Sequence, residues 1–443
     1  MTKEEIKYDK SSVESIVKFA SKLIGKSLSE VVVLPEGVTN LRNRGDLGSL
    51  IEKYYFEHIP PNNHDPDFKE AGLELKTTGV TLKAEKYKAK ERLVLTMIDY
   101  ENIVTEEWEN SAFYKKCRLM LILFYLYAKE KSVIDRKFVL SPMIYQISES
   151  DSTQIQRDWE LIRQRVIDGK AHELSEGDTF YLAACRKGSG GKKEALRKQP
   201  FSKERAKARA FSFKQSYVNK IIDGNYEADS VLGIGKTVSF EEATQLKFQP
   251  YIGKTILEIS KIFDFNQKSL NHKSFRRDLV NRILSDGEKN VLELEKAGIE
   301  VKTIRLNNRG TPREAMSFPG FKYLDLVDEN WEDSKFYEKL EHKFLFVIFR
   351  TDERNVEKLV KVSYWNMPYR DRVEAKRVWE ETKRRNMIDS SDLPRSSESF
   401  VAHVRPKARD GSDKLPTPQG DLQIKKCFWL NKEYIASVVH TLA

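Results

Sequence analysis

The chain has 443 residues, 40% of them hydrophobic and 33% charged, with a formal net charge of +10. That balance excludes a disordered tail and leaves room for two folded domains. No apolar run approaches the ~20 residues a membrane span needs, and the N-terminal Met1-Thr-Lys-Glu-Glu-Ile has no apolar signal core, so a cytoplasmic protein with no membrane contact is expected. The three cysteines, Cys117, Cys185 and Cys427, are too scattered for a disulfide framework or a zinc site and are expected as buried thiols. The positive balance suggests a polyanionic partner.

In chain order, the pattern predicts helices over Ser11–Ile24 and Asp46–His58. Strands follow over Leu73–Thr78, Arg92–Ile98 and Leu119–Tyr125, then a helix over Ile155–Asp168 and a strand over Thr179–Ala184. The same plan recurs downstream. Glu70-Ala-Gly-Leu-Glu-Leu-Lys-Thr77 is echoed by Lys296-Ala-Gly-Ile-Glu-Val-Lys-Thr303, and Trp108-Glu-Asn-Ser-Ala-Phe-Tyr114 by Trp331-Glu-Asp-Ser-Lys-Phe-Tyr337. Phe211-Ser-Phe-Lys-Gln-Ser-Tyr217 is matched more weakly by Phe428-Trp-Leu-Asn-Lys-Glu-Tyr434. Three blocks in one order indicate a duplicated domain. The expected units are residues 1–228, a turn-rich linker at 229–239, and residues 240–443. Each is an α/β domain with a mixed central sheet flanked by helices.

The chemistry concentrates at Pro66-Asp67-Phe-Lys-Glu-Ala-Gly-Leu-Glu74-Leu-Lys76. On a strand, Glu74 and Lys76 share one face and Leu73 and Leu75 the other. Asp67 arrives from the preceding turn. Two carboxylates and a cation suit a site that holds Mg2+ beside a phosphodiester, with Asp67 and Glu74 as ligands and Lys76 orienting water or stabilising transition-state charge. Residues 186–209 hold ten basic and two acidic residues. Arg186, Lys187, Lys192 and Lys193 in this segment are candidates for phosphate contact.

Pro66-Asp67 with Glu74-Leu75-Lys76 resembles the PD-(D/E)-x-K signature of the restriction-endonuclease-like nucleases. Gly45-Asp-Leu-Gly-Ser-Leu-Ile-Glu52, Ala71-Gly-Leu-Glu-Leu-Lys-Thr77, Lys90-Glu-Arg-Leu-Val-Leu95, Gly169-Lys-Ala-His-Glu-Leu-Ser-Glu-Gly177 and His403-Val-Arg-Pro-Lys407 narrow the resemblance. They point to the MutH family, which holds a mismatch-repair nicking enzyme and GATC-specific type II restriction endonucleases. The resemblance implies two tandem domains of the restriction-endonuclease fold and hydrolysis of double-stranded DNA at 5′-GATC-3′, before the G, with Mg2+. It implies that Glu52 lies beside the metal centre, as ligand to a second ion or as base. Lys116 aligns with a family lysine that contacts DNA, a place Lys115 could also take. The family's base-reading Arg-Pro-Lys is reduced to Cys185-Arg186-Lys187 in the first domain but kept as Arg405-Pro406-Lys407 in the second. The methylation-linked tyrosine of the nicking enzyme is replaced by Ser212, in the DNA-binding segment that also holds Lys214.

In the second domain, the position of Glu52 falls near Asn281 and that of Asp67 on Glu293, while Glu300 and Lys302 remain. The second domain is therefore expected to bind a second site as an allosteric effector without cutting, with a second copy of the chain as a possible partner on DNA. Two other readings are a mismatch-repair nickase and a non-cleaving GATC-binding regulator.

Overall fold

The computed structural model describes residues 8–35, 44–58, 65–188, 196–224, 232, 234, 238–265, 272, 274–285 and 291–442. Most of the expected linker, and the candidates Lys192 and Lys193, lie outside them. Among the described residues no helix is long and apolar enough to cross a membrane.

The protein is a mixed α/β fold, and the sheets repeat. In the first half, β1 (Glu74–Lys83), β2 (Lys86–Ala89), β4 (Leu119–Leu126) and β5 (Met143–Gln146) form one sheet in the order β2-β1-β4-β5. A second sheet orders β3 (Leu93–Met97), β9 (Arg209–Phe213) and β6 (Leu182–Arg186) as β3-β9-β6. Between them in sequence, β7 (Leu196–Gln199) and β8 (Ser202–Lys207) form a separate hairpin. The second half repeats the first sheet with β10 (Glu300–Leu306), β12 (Phe344–Thr351) and β13 (Glu357–Trp365), in the order β10-β12-β13. It repeats the second sheet with β11 (Met316–Gly320), β14 (Ala402–Pro406) and β17 (Lys426–Leu430), in the order β11-β17-β14. A hairpin of β15 (Lys414–Pro416) and β16 (Leu422–Ile424) falls where the first half has β7 and β8. In both halves the central pair is parallel, with Glu74 opposite Met120 and Glu300 opposite Phe344.

The helix before each central strand is built from the same few residues. Ser111 accepts from the Tyr114 N–H at 3.1 Å and donates to the Trp108 carbonyl at 2.7 Å; Ser334 does the same with Tyr337 at 3.1 Å and Trp331 at 2.6 Å. A serine cap of this kind satisfies a main-chain donor that the first turn leaves open. The caps fix the helices Ala112–Cys117 and Lys335–Leu340, and with them Lys116 and Lys339. Trp108 and Trp331 each pack on a tryptophan of the following long helix, Trp159 and Trp379, with ring centroids 5.8 and 5.7 Å apart. The first long helix, Glu149–Ile167, starts six residues before the apolar pattern at Ile155 predicts. Ser148 caps it, and Glu149 and Asp151 complement its positive end.

The largest hydrophobic core belongs to both halves. It joins Tyr145, Trp159, Phe180, Tyr181 and Tyr217 to Phe240, Leu279, Leu345 and Val347. Phe180 stacks on Phe240 at 4.1 Å. Inside this core, Lys296 and Asp151 form a buried ion pair at 2.8 Å, and Asp151 also accepts from the Tyr217 hydroxyl at 2.7 Å. Gly177 allows a close approach of the two main chains: a Cβ there would meet the Glu341 carbonyl oxygen at 2.9 Å and Asn366 at 3.0 Å. Replacing Lys296 with alanine strands a buried carboxylate. Lys296→Ala is expected to lower the free energy of unfolding by about 3–5 kcal/mol. Urea denaturation should show the loss in one transition, since Asp151 and Lys296 come from different halves.

Candidate active site

Asp67, Glu74 and Lys76 come together because a tight turn folds back on β1. Phe68 and Leu73 exchange main-chain hydrogen bonds at 2.9 and 3.1 Å, which directs the Asp67 carboxylate onto the Leu75 N–H at 2.9 Å. The Asp67 N–H donates to Glu74 Oε2 at 3.1 Å. Leu73 and Leu75 are buried in the N-terminal core, as strand alternation predicts. Glu74 Oε1 accepts from the Lys76 ammonium and lies 3.5 Å from Lys116 Nζ.

Glu52 completes the group from a different element. The helix Arg44–Leu50 continues as a single π-helical turn, Ile51–Tyr55. Such turns insert one extra residue and re-aim a side chain. Gly48 lets this helix lie against β1, since a Cβ there would sit 3.3 Å from Thr77 Oγ1. Burial, and then the charge of Asp67, push the Glu52 carboxyl up to about 7. Burial likewise pushes Glu74, only 1% exposed, up to about 7 against the pull of Lys76. Burial pulls the Lys76 ammonium down, but Glu74 outweighs it and holds the lysine above its ordinary value.

The corresponding place in the second half is charged the other way. Glu300 is gripped by Lys339, by Lys302 at 3.1 Å and by His342 at 3.4 Å. The hydrogen bond from His342, with Lys339 and Lys302, outweighs burial and holds its carboxyl far below the usual range. Glu293 does not take the place of Asp67. A helix, Leu292–Ala297, ending in left-handed Gly298 (φ 63°), replaces the tight turn. It turns Glu293 to the interior, where Oε1 accepts from the Leu232 N–H at 2.8 Å. Asn281 is exposed on the helix Phe275–Ser285.

The model of the DNA mismatch repair enzyme MutH family matches residues 56–158 and 284–375, corresponding stretches of the two halves. The chain is 33% identical to the type II restriction enzyme Sau3AI of Staphylococcus aureus, over 96% of this chain and 97% of that enzyme. The chain belongs to the MutH family. It is a site-specific endonuclease of the type II restriction class. Mismatch repair proteins MutH of Shewanella woodyi and of Escherichia coli O6:K15:H31 are 23% and 25% identical, over 41% and 40% of this chain and 78% and 77% of their own lengths.

Nucleases of this fold generally use a divalent metal, and the residues of this MutH-family site fit one. Three carboxyl groups face two lysines, and burial holds two of the three near 7, so a bound cation would favour their ionised forms. Among the described residues no three His, Cys, Asp or Glu side chains converge into a complete cage. That suits a hard cation held by one or two carboxylates and otherwise by water.

The candidate DNA contacts are placed unevenly. Lys187 lies half-buried at the end of β6, and Arg186 reaches across to the second half, 2.8 Å from Glu332. Two candidates do not stand on a DNA-facing surface. Ser212 is fully buried, its hydroxyl donating to the Ala183 carbonyl at 3.4 Å. Lys214 points into the cleft between the halves and donates to the Thr179 carbonyl at 2.6 Å. Ser212 lies within β9, whose residues Arg209–Phe213 are all buried, and Lys214 follows the end of that strand as the cap of the next helix. Arg405 and Lys407 are exposed in the second half. Arg197, Lys198, Lys203 and Arg205 extend the basic surface on the exposed hairpin of β7 and β8.

The sequence reading missed His58. Its N–H donates to the Glu52 carbonyl at 2.9 Å, its ring stacks on Phe68 at 5.3 Å, and it bonds the Asp67 main chain. It ties the two carboxylate-bearing segments together, through partners that no local pattern announces.

A raised carboxyl pKa gives a sign to the pH dependence. The folded state binds the extra proton, so the contribution of Glu74 is fully present below its ordinary value of 4.5 and is lost as pH rises through about 7. Metal-free protein is expected to lose melting temperature over that interval, and Glu74→Gln to lose less. Thermal melts in a chelator check this.

Proposed function

We propose that this chain cleaves double-stranded DNA at 5′-GATC-3′, before the G, with Mg2+, and that its second half binds another copy of the sequence as an effector. The observation that carries this reading is the contrast between the duplicated sites. The first has an excess of carboxyl groups, with Glu52 and Glu74 both near 7, whereas Glu300 in the second is already paired with Lys302 and Lys339 and held far below the usual range. One site is suited to a cation and the other is not. The sequence read rests on the family resemblance.

Asp67 and Glu74 would hold the Mg2+, with Glu52 beside them. When bound, the ion supplies Lewis-acid activation at the phosphodiester. Lys76 orients the attacking water or meets the charge that develops on the phosphoryl oxygens. Lys116, 3.5 Å from the same Glu74 oxygen that Lys76 meets, contacts the DNA backbone. Glu52, with its carboxyl near 7, accepts a proton or ligates a second ion. Lys187 and the exposed β7–β8 hairpin supply the basic surface of the first half, and a two-stranded ribbon has dimensions that fit a major groove.

One cutting site breaks one strand, so a double-strand break requires a second copy of the chain or two successive nicks. Arg405 and Lys407 give the second half its grip on DNA. Occupancy there favours the cleaving state of the first half, a coupling that must be reciprocal in binding free energy.

A digest of unmethylated plasmid with Mg2+, followed by end-sequencing, tests the reading. Fragments with 5′-GATC overhangs are expected; nicks alone would favour a nickase. Glu74→Ala should abolish cleavage and leave binding in Ca2+ largely intact. Lys407→Ala should remove stimulation by a second site, and unchanged kinetics would overturn the effector assignment.

A further inference from the structure

The strands that carry the basic motifs are built in one register in both halves. In the first, β6 and β9 pair Ala183 with Ser212 and Cys185 with Ala210. In the second, β14 and β17 pair His403 with Trp429 and Arg405 with Cys427. Cys185 therefore stands where the second half has Arg405, and Ser212 where it has Trp429. Cys185 and Ser212 are both buried. Arg405 is exposed, its guanidinium carbon 3.8 Å from the centre of the Trp429 ring. The Trp429 Nε1–H turns back and donates to the Arg405 carbonyl at 3.4 Å.

This arrangement has a specific physical effect. A guanidinium on an indole face is held by the ring quadrupole, and its in-plane N–H groups stay free to donate outward. A flat fork with fixed orientation matches the two acceptors, O6 and N7, that guanine shows in the major groove. A free arginine would lose its rotamer freedom on binding; one already seated on an indole loses less. Beneath the same strand, His403 is fixed by Asn431, so the main chain under Arg405 is held as well.

We propose that Trp429 is a specificity-determining positioning residue, which holds Arg405 in the orientation that reads a guanine of duplex DNA bound to the second half. The proposal rests on the reading of that half as the effector. The first half has no counterpart of this pair, since the equivalent side chains are a buried cysteine and a buried serine.

The test uses the full-length chain cleaving a labelled one-site duplex, stimulated by a second duplex. The second duplex carries either guanine or 7-deazaguanine, which lacks N7. For the unaltered chain, 7-deazaguanine is expected to raise the concentration for half-maximal stimulation about tenfold. Trp429→Ala should raise that concentration for guanine by a similar factor and no longer distinguish the two bases, whereas Trp429→Phe, which keeps an aromatic face, should retain the discrimination. If Arg405→Ala abolishes stimulation but Trp429→Ala still discriminates, the proposal is overturned and the effector reading stands. If Arg405→Ala leaves stimulation and discrimination unchanged, the effector reading itself fails. Equal loss in Trp429→Ala and Trp429→Phe, with a lowered melting temperature, would make Trp429 a structural residue and also overturn the proposal.

Discussion

The first half is organised around a carboxylate that cannot reach water. Glu74 is 1% exposed, held there by Leu73 and Leu75 in the apolar core on either side of it in sequence. An isolated buried carboxylate is unstable, and the usual remedies are a proton, a paired base or a cation. This fold draws on more than one remedy. Lys76 comes from the same strand face, Lys116 from a serine-capped helix, and the Asp67 main chain donates a hydrogen bond. Asp67 and Glu52 add further carboxyl groups beside it, and burial together with the charge of Asp67 raises the Glu74 and Glu52 carboxyls rather than relieving them.

Duplication has preserved the scaffold and changed the electrostatics. The parallel strand pair, the serine cap and the tryptophan beneath it recur almost unaltered. Lys116 and Lys339 occupy equivalent helices, and Glu74 and Glu300 equivalent strand positions. What differs is the segment just before the strand. A tight turn that presents Asp67 has become a helix that turns Glu293 and Lys296 inward, and Lys296 now pairs with Asp151 of the other half. The segment that presents a carboxylate beside the strand in the first half instead ties the second half to the first through Lys296.

The motif and the repeat were legible because both are local. Alternation assigns Glu74 and Lys76 to one strand face, and Trp-Glu-x-Ser-x-Phe-Tyr fixes a capped helix from its own residues. The core shared by the halves was not legible, because Phe180 meets Phe240, and Asp151 meets Lys296, through tertiary folding that no periodicity encodes. The burial of Ser212 and the inward turn of Lys214 were missed for a related reason. A polar residue on a strand looks like surface until the layers packed on it are known; Ser212 lies in the fully buried β9, and Lys214, just past its end, is drawn to the Thr179 carbonyl. Arg186 was legible as a cation but not as the partner of Glu332, which lies in the other half.

The close packing at Gly177 and the common core have a thermodynamic consequence. The halves share one core, so neither can unfold without exposing apolar surface of the other. A ligand that binds only folded protein stabilises it by an amount set by its concentration relative to its dissociation constant. A ligand bound by either half would therefore protect the other from local opening and proteolysis at a distance. Each half acts as a reservoir of stability for the other.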